Sequence, residues 1–211
     1  MLKIWGRLNS INVEKVIWCA GEAGVDFERI DAGGKFGLVD TPEFRHRNPC
    51  GKVPVIDDDG FLLWESNAIV RYLAAKHAPG KLLAEDAAAR AQAERWMDYQ
   101  LGTIAPLLSP LFRGIVRTAP KNRNRDEISS AFHALADALT IVDGALNDGP
   151  YLVGEDFTVA DIPLGTVAHR WFNMPVEEVG LERPRMAALQ AWYETLRERP
   201  AVSALFAAPL S

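Results

Sequence analysis

Ser10 follows a strand-like opening and precedes the run Ile11-Asn12-Val13-Glu14-Lys15-Val16, so its hydroxyl falls at the start of a helix. There the partial positive charge of the helix end favours an anionic sulfur, and a hydroxyl can donate a hydrogen bond to it. One charge-assisted hydrogen bond contributes roughly 1.5–3 kcal/mol, about one to two pKa units. That brings a thiol with a pKa near about 8.5 into the physiological range. A serine at this position is equally suited to capping the helix, and the local sequence leaves both readings open. Asn12 either adds a second donor or simply begins the helix.

A second concentration of chemistry lies between Arg45 and Tyr72. Lys52-Val53-Pro54-Val55 leads into an alternating strand, Asp59-Gly60 is a hairpin turn signal, and Phe61 to Trp64 supplies the return strand. Glu65-Ser66 then opens a helix, pairing an acid for an ammonium with a hydroxyl and free amides for a carboxylate. The bland alternative is a plain helix cap preceded by an exposed acid. Together these features suit a small peptide. Position alone predicts a trans bond before Pro54.

These groups need a scaffold that brings position 10 near position 66. Leu2 to Gly6, a helix over about Asn12 to Glu22, and Phe27 to Asp31 form a βαβ opening. Gly24 ends the first helix, and Asp31 to Gly37 is too glycine-rich for regular structure. A helix over Ser66 to His77 follows the hairpin, and Ala78-Pro79-Gly80 breaks the pattern. From about Asp86 onward the spacing is helical: Arg90 to Ala105, Asp126 to Asn147, Val159 to Trp171 and Pro184 to Glu198. Pro106 and Pro110 are expected to end or bend the segment that follows Arg90 to Ala105. Thr158-Val159-Ala160-Asp161 has capping-box spacing.

The 211 residues give room for two domains. A composition of 48% hydrophobic and 24% charged residues is that of a soluble globular protein, with no apolar run long enough to span a bilayer and no secretory signal. The expected location is cytoplasmic. A net charge of -5 argues against a nucleic-acid partner, and the basic segment Arg113, Arg117, Lys121, Arg123 and Arg125 reads as a solvated loop between helices. Cys19 and Cys50 form no CxxC pair, and His46, His77, His133 and His169 lack a metal-ligand spacing, so no metal is expected. Cys19 reads as core, and Cys50 as a loop position without a second thiol to resolve a disulfide.

The order of Ser10, Asn48-Pro49-Cys50-Gly51-Lys52-Val53-Pro54-Val55, the hairpin and Glu65-Ser66-Asn67-Ala68-Ile69-Val70-Arg71-Tyr72-Leu73-Ala74 resembles cytosolic glutathione transferases over nearly the whole chain. The serine at position 10 is similar to the bacterial serine-type members, theta-, nu- or beta-like, and departs from the tyrosine and cysteine types. The resemblance implies an α/β thioredoxin-like N-terminal domain, residues 1–79, plus an all-α C-terminal helical domain, residues 86–211. It implies glutathione as cosubstrate, with Ser10 and Asn12 catalytic and with Lys52, Val53, a cis Pro54, Glu65 and Ser66 binding it. It further implies a homodimer, and a second substrate pocket between domains for which Tyr99, Leu107, Leu111, Phe112, Arg113 and Trp171 are candidates. The expected reaction is attack of the glutathione sulfur on a small, largely apolar electrophile. The rivals are a glutathione-dependent disulfide or peroxide reductase, suggested by Ser-x-Asn, and a non-enzymatic binding protein on the same fold.

Overall fold

The computed structural model describes residues 1–211. The N-terminal segment forms β1 (Leu2–Trp5), α1 (Ile11–Glu22) and β2 (Phe27–Ile30), with β2 lying parallel to β1 in the register Leu2 to Phe27 through Trp5 to Ile30. A parallel pair requires a crossover, and α1 provides it. Residues Pro42–Arg47 form α2, a short helix that the sequence reading omitted although its signals are local. Thr41 caps it by accepting from the Phe44 N–H at 3.2 Å, and Pro42 occupies the first turn, where no N–H is needed.

β3 (Val55–Asp58) and β4 (Phe61–Trp64) complete a sheet of order β2-β1-β3-β4. Asp59 and Gly60, with φ of 52° and 92°, make the two-residue turn that the right-handed twist of a hairpin favours. Trp5, Ala32, Phe44 and Val55 form a buried cluster on this sheet, with Trp64 packed against it. On α1, Val13, Val16, Ile17, Cys19 and Ala20 are buried, and the helix packs on α3 (Ser66–His77). This packing sets the starts of α1 and α3 side by side.

The helical segment runs through α4 (Ala87–Tyr99), α5 (Ala105–Phe112), α6 (Arg125–Ala145), α7 (Asp161–Asn173), α8 (Ala187–Arg197) and α9 (Pro200–Phe206). Of the two outcomes expected at Pro106 and Pro110, ending a helix does not occur. Wide π turns over Gln100–Ile104 and Arg113–Arg117 keep Ala87 to Arg117 helical, with the Ala105 N–H bonded back to the Gln100 carbonyl. A wide turn accommodates a residue that cannot supply the ordinary i to i−4 donor. In the basic segment Arg113, Arg117, Lys121 and Arg125 are exposed, and Arg123 alone turns inward, donating to the carbonyls of Ile115 at 2.6 Å and Thr118 at 3.3 Å.

By packing, Met1–Arg90 with Pro200–Leu205 forms one unit and Ala91–Arg199 with Phe206–Ser211 the other. The segment Pro200–Leu205 therefore groups with the N-terminal unit, whereas the sequence reading placed all of 86–211 in the helical domain. Its Ala201 lies so close to Gly21 of α1 that a Cβ on Gly21 would sit 2.9 Å from the alanine methyl.

Candidate functional site

Ser10 immediately precedes α1 in extended conformation, φ −98° and ψ 119°, and is 8% exposed. Its carbonyl accepts from the N–H groups of Val13 and Glu14, both at 2.9 Å, so the backbone starts the helix. The hydroxyl makes no capping bond. Asn12, in the first turn, accepts through Oδ1 a hydrogen bond from the Ser66 hydroxyl at 3.3 Å. With its acceptor engaged, the donor end of the Asn12 amide is what this side chain has left to offer a ligand.

Ser66 and Asn67 begin α3 and are 5% and 3% exposed. Lys15, on α1 and fully buried, donates through Nζ to Ser66 Oγ at 3.5 Å and to Asn67 Oδ1 at 3.4 Å. Residues 12, 15, 66 and 67 thus meet where two helices start. Glu65, exposed, takes φ 72° and ψ 112° and caps nothing with its side chain. A non-glycine residue at positive φ costs of order 1–3 kcal/mol, and such residues concentrate at binding and catalytic sites.

The Val53–Pro54 bond is cis. Val53 lies outside the ladder, which runs from Lys3 opposite Asp57 to Trp5 opposite Val55. Asn48 fixes the preceding loop, its amide donating to the Lys52 carbonyl at 2.8 Å and its Oδ1 accepting from the Cys50 N–H at 2.9 Å. Lys52 is exposed, as is Cys50. Cys19 is a core thiol: burial, with Glu22 adding to the effect, pushes its pKa up to about 12, and its Sγ donates to the Val70 carbonyl.

Six residues were named for a second pocket. Leu107 and Arg113 line a cavity of about 410 Å³ with Asn122, Asn124 and Glu127. Tyr99 instead donates to the Ala138 carbonyl at 3.1 Å, burial raising its pKa, while Leu111 and Trp171 are fully buried. Trp171 stacks on Phe132 with centroids 5.0 Å apart, and Phe112 lies under Arg117 and Arg170. These are core roles, and apolar spacing alone cannot separate them from pocket roles. No group of three or more His, Cys, Asp or Glu side chains is placed to hold a metal ion.

Sequence reading missed Lys15. The signal was a lysine inside Val13 to Ala20, a stretch whose remaining residues face the core.

Residues 1–75 match the glutathione S-transferase N-terminal domain and residues 103–200 the C-terminal domain, and the chain belongs to that family. It is 37% identical over 213 residues to glutathione S-transferase GstB of Escherichia coli K12, covering 100% of both chains. Similarity to glutathione S-transferase F14 of Arabidopsis thaliana is 31% over 206 residues, 94% of this chain and 78% of that one. Among solved structures, the theta class enzyme of the citrus canker pathogen Xanthomonas axonopodis pv. citri with glutathione bound superposes with a TM-score of 0.94. The two share 46% identity over 100% of this chain and 99% of that one.

Proposed function

We propose that this transferase binds glutathione at the adjoining starts of α1 and α3 and activates its thiol for attack on a small electrophile. The observation that carries the assignment is the hydrogen-bonded link from buried Lys15 through Ser66 to exposed Asn12, which ties the α3 start to the first turn of the helix that Ser10 precedes. The α-carboxylate of the γ-glutamyl group is received by the Ser66 hydroxyl and the first amides of α3, where the helix field favours an anion. The exposed Glu65 takes the ammonium. The cysteinyl backbone pairs with the Val53 N–H and C=O outside the ladder, and Lys52 approaches the glycyl carboxylate.

In this arrangement the cysteinyl sulfur is placed at the start of α1. The Ser10 hydroxyl donates to it, and the Asn12 amide adds a second donor. Both bonds are stronger to a thiolate than to a thiol, so they lower the thiol pKa. The sulfur lone pair then attacks the electrophilic centre, and the leaving group departs with its electron pair or, in an addition, a proton is taken up. Ser10 is a donor throughout and never a nucleophile. Leu107 and Arg113, which line the cavity of about 410 Å³, stay as candidates for contact with the second substrate. The same reading makes the chain a cytoplasmic homodimer, supported by its family membership, and light scattering on the purified protein tests the dimer.

The decisive measurement is a pH titration of enzyme-bound glutathione by thiolate ultraviolet absorbance, with Ser10→Ala alongside. The expected outcome is a bound thiol pKa about one to two units below the free value in wild type, and near it in the variant. Bound glutathione with an unshifted thiol in both proteins refutes the activation, and turnover of disulfides without conjugation moves the assignment to a reductase.

A further inference from the structure

We infer that the helical unit holds a ligand site of its own, a cavity that takes the carboxamide of a small, largely apolar molecule between His169 and Asn173. The cavity has a volume of about 480 Å³, in the range of small-molecule sites. Ile115, Val116, Pro175, Pro209 and Leu210 give it apolar walls, and every residue lining it belongs to the helical unit. It shares no residue with the glutathione site, and none of the six second-pocket candidates line it, so the inference stands whether or not the glutathione reading does.

His169 lies on α7 and is 4% exposed. Its ring stacks on Phe206, with centroids 4.2 Å apart and planes 3° from parallel. Its Nδ1 is 2.9 Å from the Tyr193 hydroxyl and 3.3 Å from Asn173 Nδ2. An amide nitrogen only donates, and Asn173 Nδ2 gives its hydrogens to the His169 carbonyl at 2.8 Å and the Tyr193 oxygen at 2.9 Å. The Tyr193 oxygen thus accepts from Asn173, and its single proton is left for Nδ1. Nδ1 therefore carries the lone pair. Burial, with Arg170 and Arg197 adding positive charge nearby, pushes the His169 pKa down to about 4, so the ring is neutral at neutral pH. A neutral imidazole has one N–H. Here it sits on Nε2, which has no hydrogen-bond partner in the protein. A buried donor is costly to leave unpaired, and the cavity that His169 lines is where an acceptor is supplied from outside.

Asn173 lies four residues further along α7, on the same helix face, and lines the same cavity. With Nδ2 spent, its Oδ1 is what remains, and an oxygen of this kind only accepts. Arg123 brings the charge nearest the cavity, but its guanidinium is engaged by the carbonyls of Ile115 and Thr118 and by Glu178 at 3.4 Å. A donor beside an acceptor, with no free cation, is the complement of a carboxamide, whose oxygen accepts from Nε2–H while its N–H donates to Oδ1. A carboxylate or an ester has no hydrogen to give Asn173.

The test titrates the full chain, carrying isotope-labelled histidine, with 4-tert-butylbenzamide, the corresponding carboxylate and the corresponding methyl ester. Nitrogen NMR should show the His169 proton on Nε2 in the free protein. The amide should shift the His169 Nε2 resonance saturably and bind about fivefold or more tighter than either analogue, the worth of one ordinary hydrogen bond. Ala208→Trp, which fills the cavity from its exposed tail side, should abolish the shift; if that variant does not melt cooperatively, the wild-type series decides alone. A proton on Nδ1, a His169 resonance that does not move, equal affinity for the three compounds, or undiminished binding to folded Ala208→Trp each overturn the inference. In steady-state kinetics the amide should leave KM for glutathione and for a chlorinated aromatic electrophile unchanged, and a rise in either KM overturns a site separate from the reaction.

Discussion

The starts of α3 and α7 are two helix N-termini with the same dipole and opposite chemistry. At α7 the chain supplies its own acceptor. Asp161 accepts from the Thr158 N–H at 2.9 Å, the Leu152 N–H at 3.1 Å and Trp192 Nε1 at 3.1 Å, while the Thr158 hydroxyl accepts from the Ala160 N–H at 3.3 Å. At α3 the residue before the helix is an exposed acid that caps nothing, and beneath it Lys15 donates to the oxygens of Ser66 and Asn67, leaving the first amides of the helix as its donors. Where a protein provides the anion from within, a helix end is a structural joint; where it provides only donors, the end is built to receive an anion from outside.

The sharpest way to break this contrast is Asp161→Ala. It leaves two backbone N–H groups and an indole N–H buried without an acceptor, each costing about 1–3 kcal/mol. The expected loss of about 3 kcal/mol or more lowers Tm by roughly 6–12 °C, given about 2–4 °C per kcal/mol at this size. Glutathione affinity of the folded fraction should be unchanged; the contrast fails if affinity drops while Tm holds. The pH dependence has a definite sign. Burial pushes the Asp161 pKa up to about 6, against the downward pull of the Thr158 and Leu152 amides, Trp192 and the Thr158 hydroxyl. The folded state therefore holds this proton more tightly than the unfolded chain, whose aspartates titrate near about 3.9. The Asp161 contribution falls as pH rises from about 4 to about 6 and is level above. Asp161→Asn, followed by denaturant unfolding across that range, should remove this falling component.

Ser66→Ala inverts the experiment. Its hydroxyl is buried, but the partners it leaves, Lys15 and Asn12, keep other ways to be satisfied at the edge of a site, so Tm should move by no more than about 2–4 °C. Glutathione affinity should fall about tenfold, the worth of one hydrogen bond to a carboxylate. A variant that binds glutathione as wild type does would sink the assignment of this helix end. Ser66→Ala combined with Asn12→Ala should cost less than the two single changes summed, because the two side chains share one hydrogen bond.

The two helix ends also differ in how far the sequence discloses them. Thr158 to Asp161 is a contact across three residues, and the capping-box spacing names it; Leu152 and Trp192, the remaining partners of Asp161, carry no such mark. Ser66 to Asn12 spans 54 residues, and only the family resemblance placed them together. Elements defined by local rules, such as the Asp59-Gly60 hairpin and the helix over Ser66–His77, were legible to the residue. Pro106 and Pro110 announce a missing donor and not the wide turn that absorbs it. Lys15 was missed because only packing shows that a charge within a helix is buried. Trp171 and Leu111 show the converse limit, since a large apolar residue reads alike whether it faces a ligand or fills the core.

Glu65 gives the smallest stability effect and the most discriminating one. Its φ of 72° lies where glycine is at ease and an L side chain is not, at a cost of order 1–2 kcal/mol. Glu65→Gly removes that strain but adds backbone freedom to the unfolded chain worth about 0.5–1 kcal/mol. The net should be level or slightly stabilising, within about 1 kcal/mol, read as a Tm equal to or a few degrees above wild type. Glutathione binding should nevertheless weaken, because the acceptor for its ammonium is gone, and Glu65→Gln, which keeps the backbone strain and the side-chain shape, should weaken it similarly. A clear loss of stability in Glu65→Gly would mean that the side chain holds the fold, and α3 would then be a structural joint like α7. Stability unchanged with binding reduced means that the backbone tolerates an unfavourable residue here for the ligand, which is the physical difference between the two helix ends.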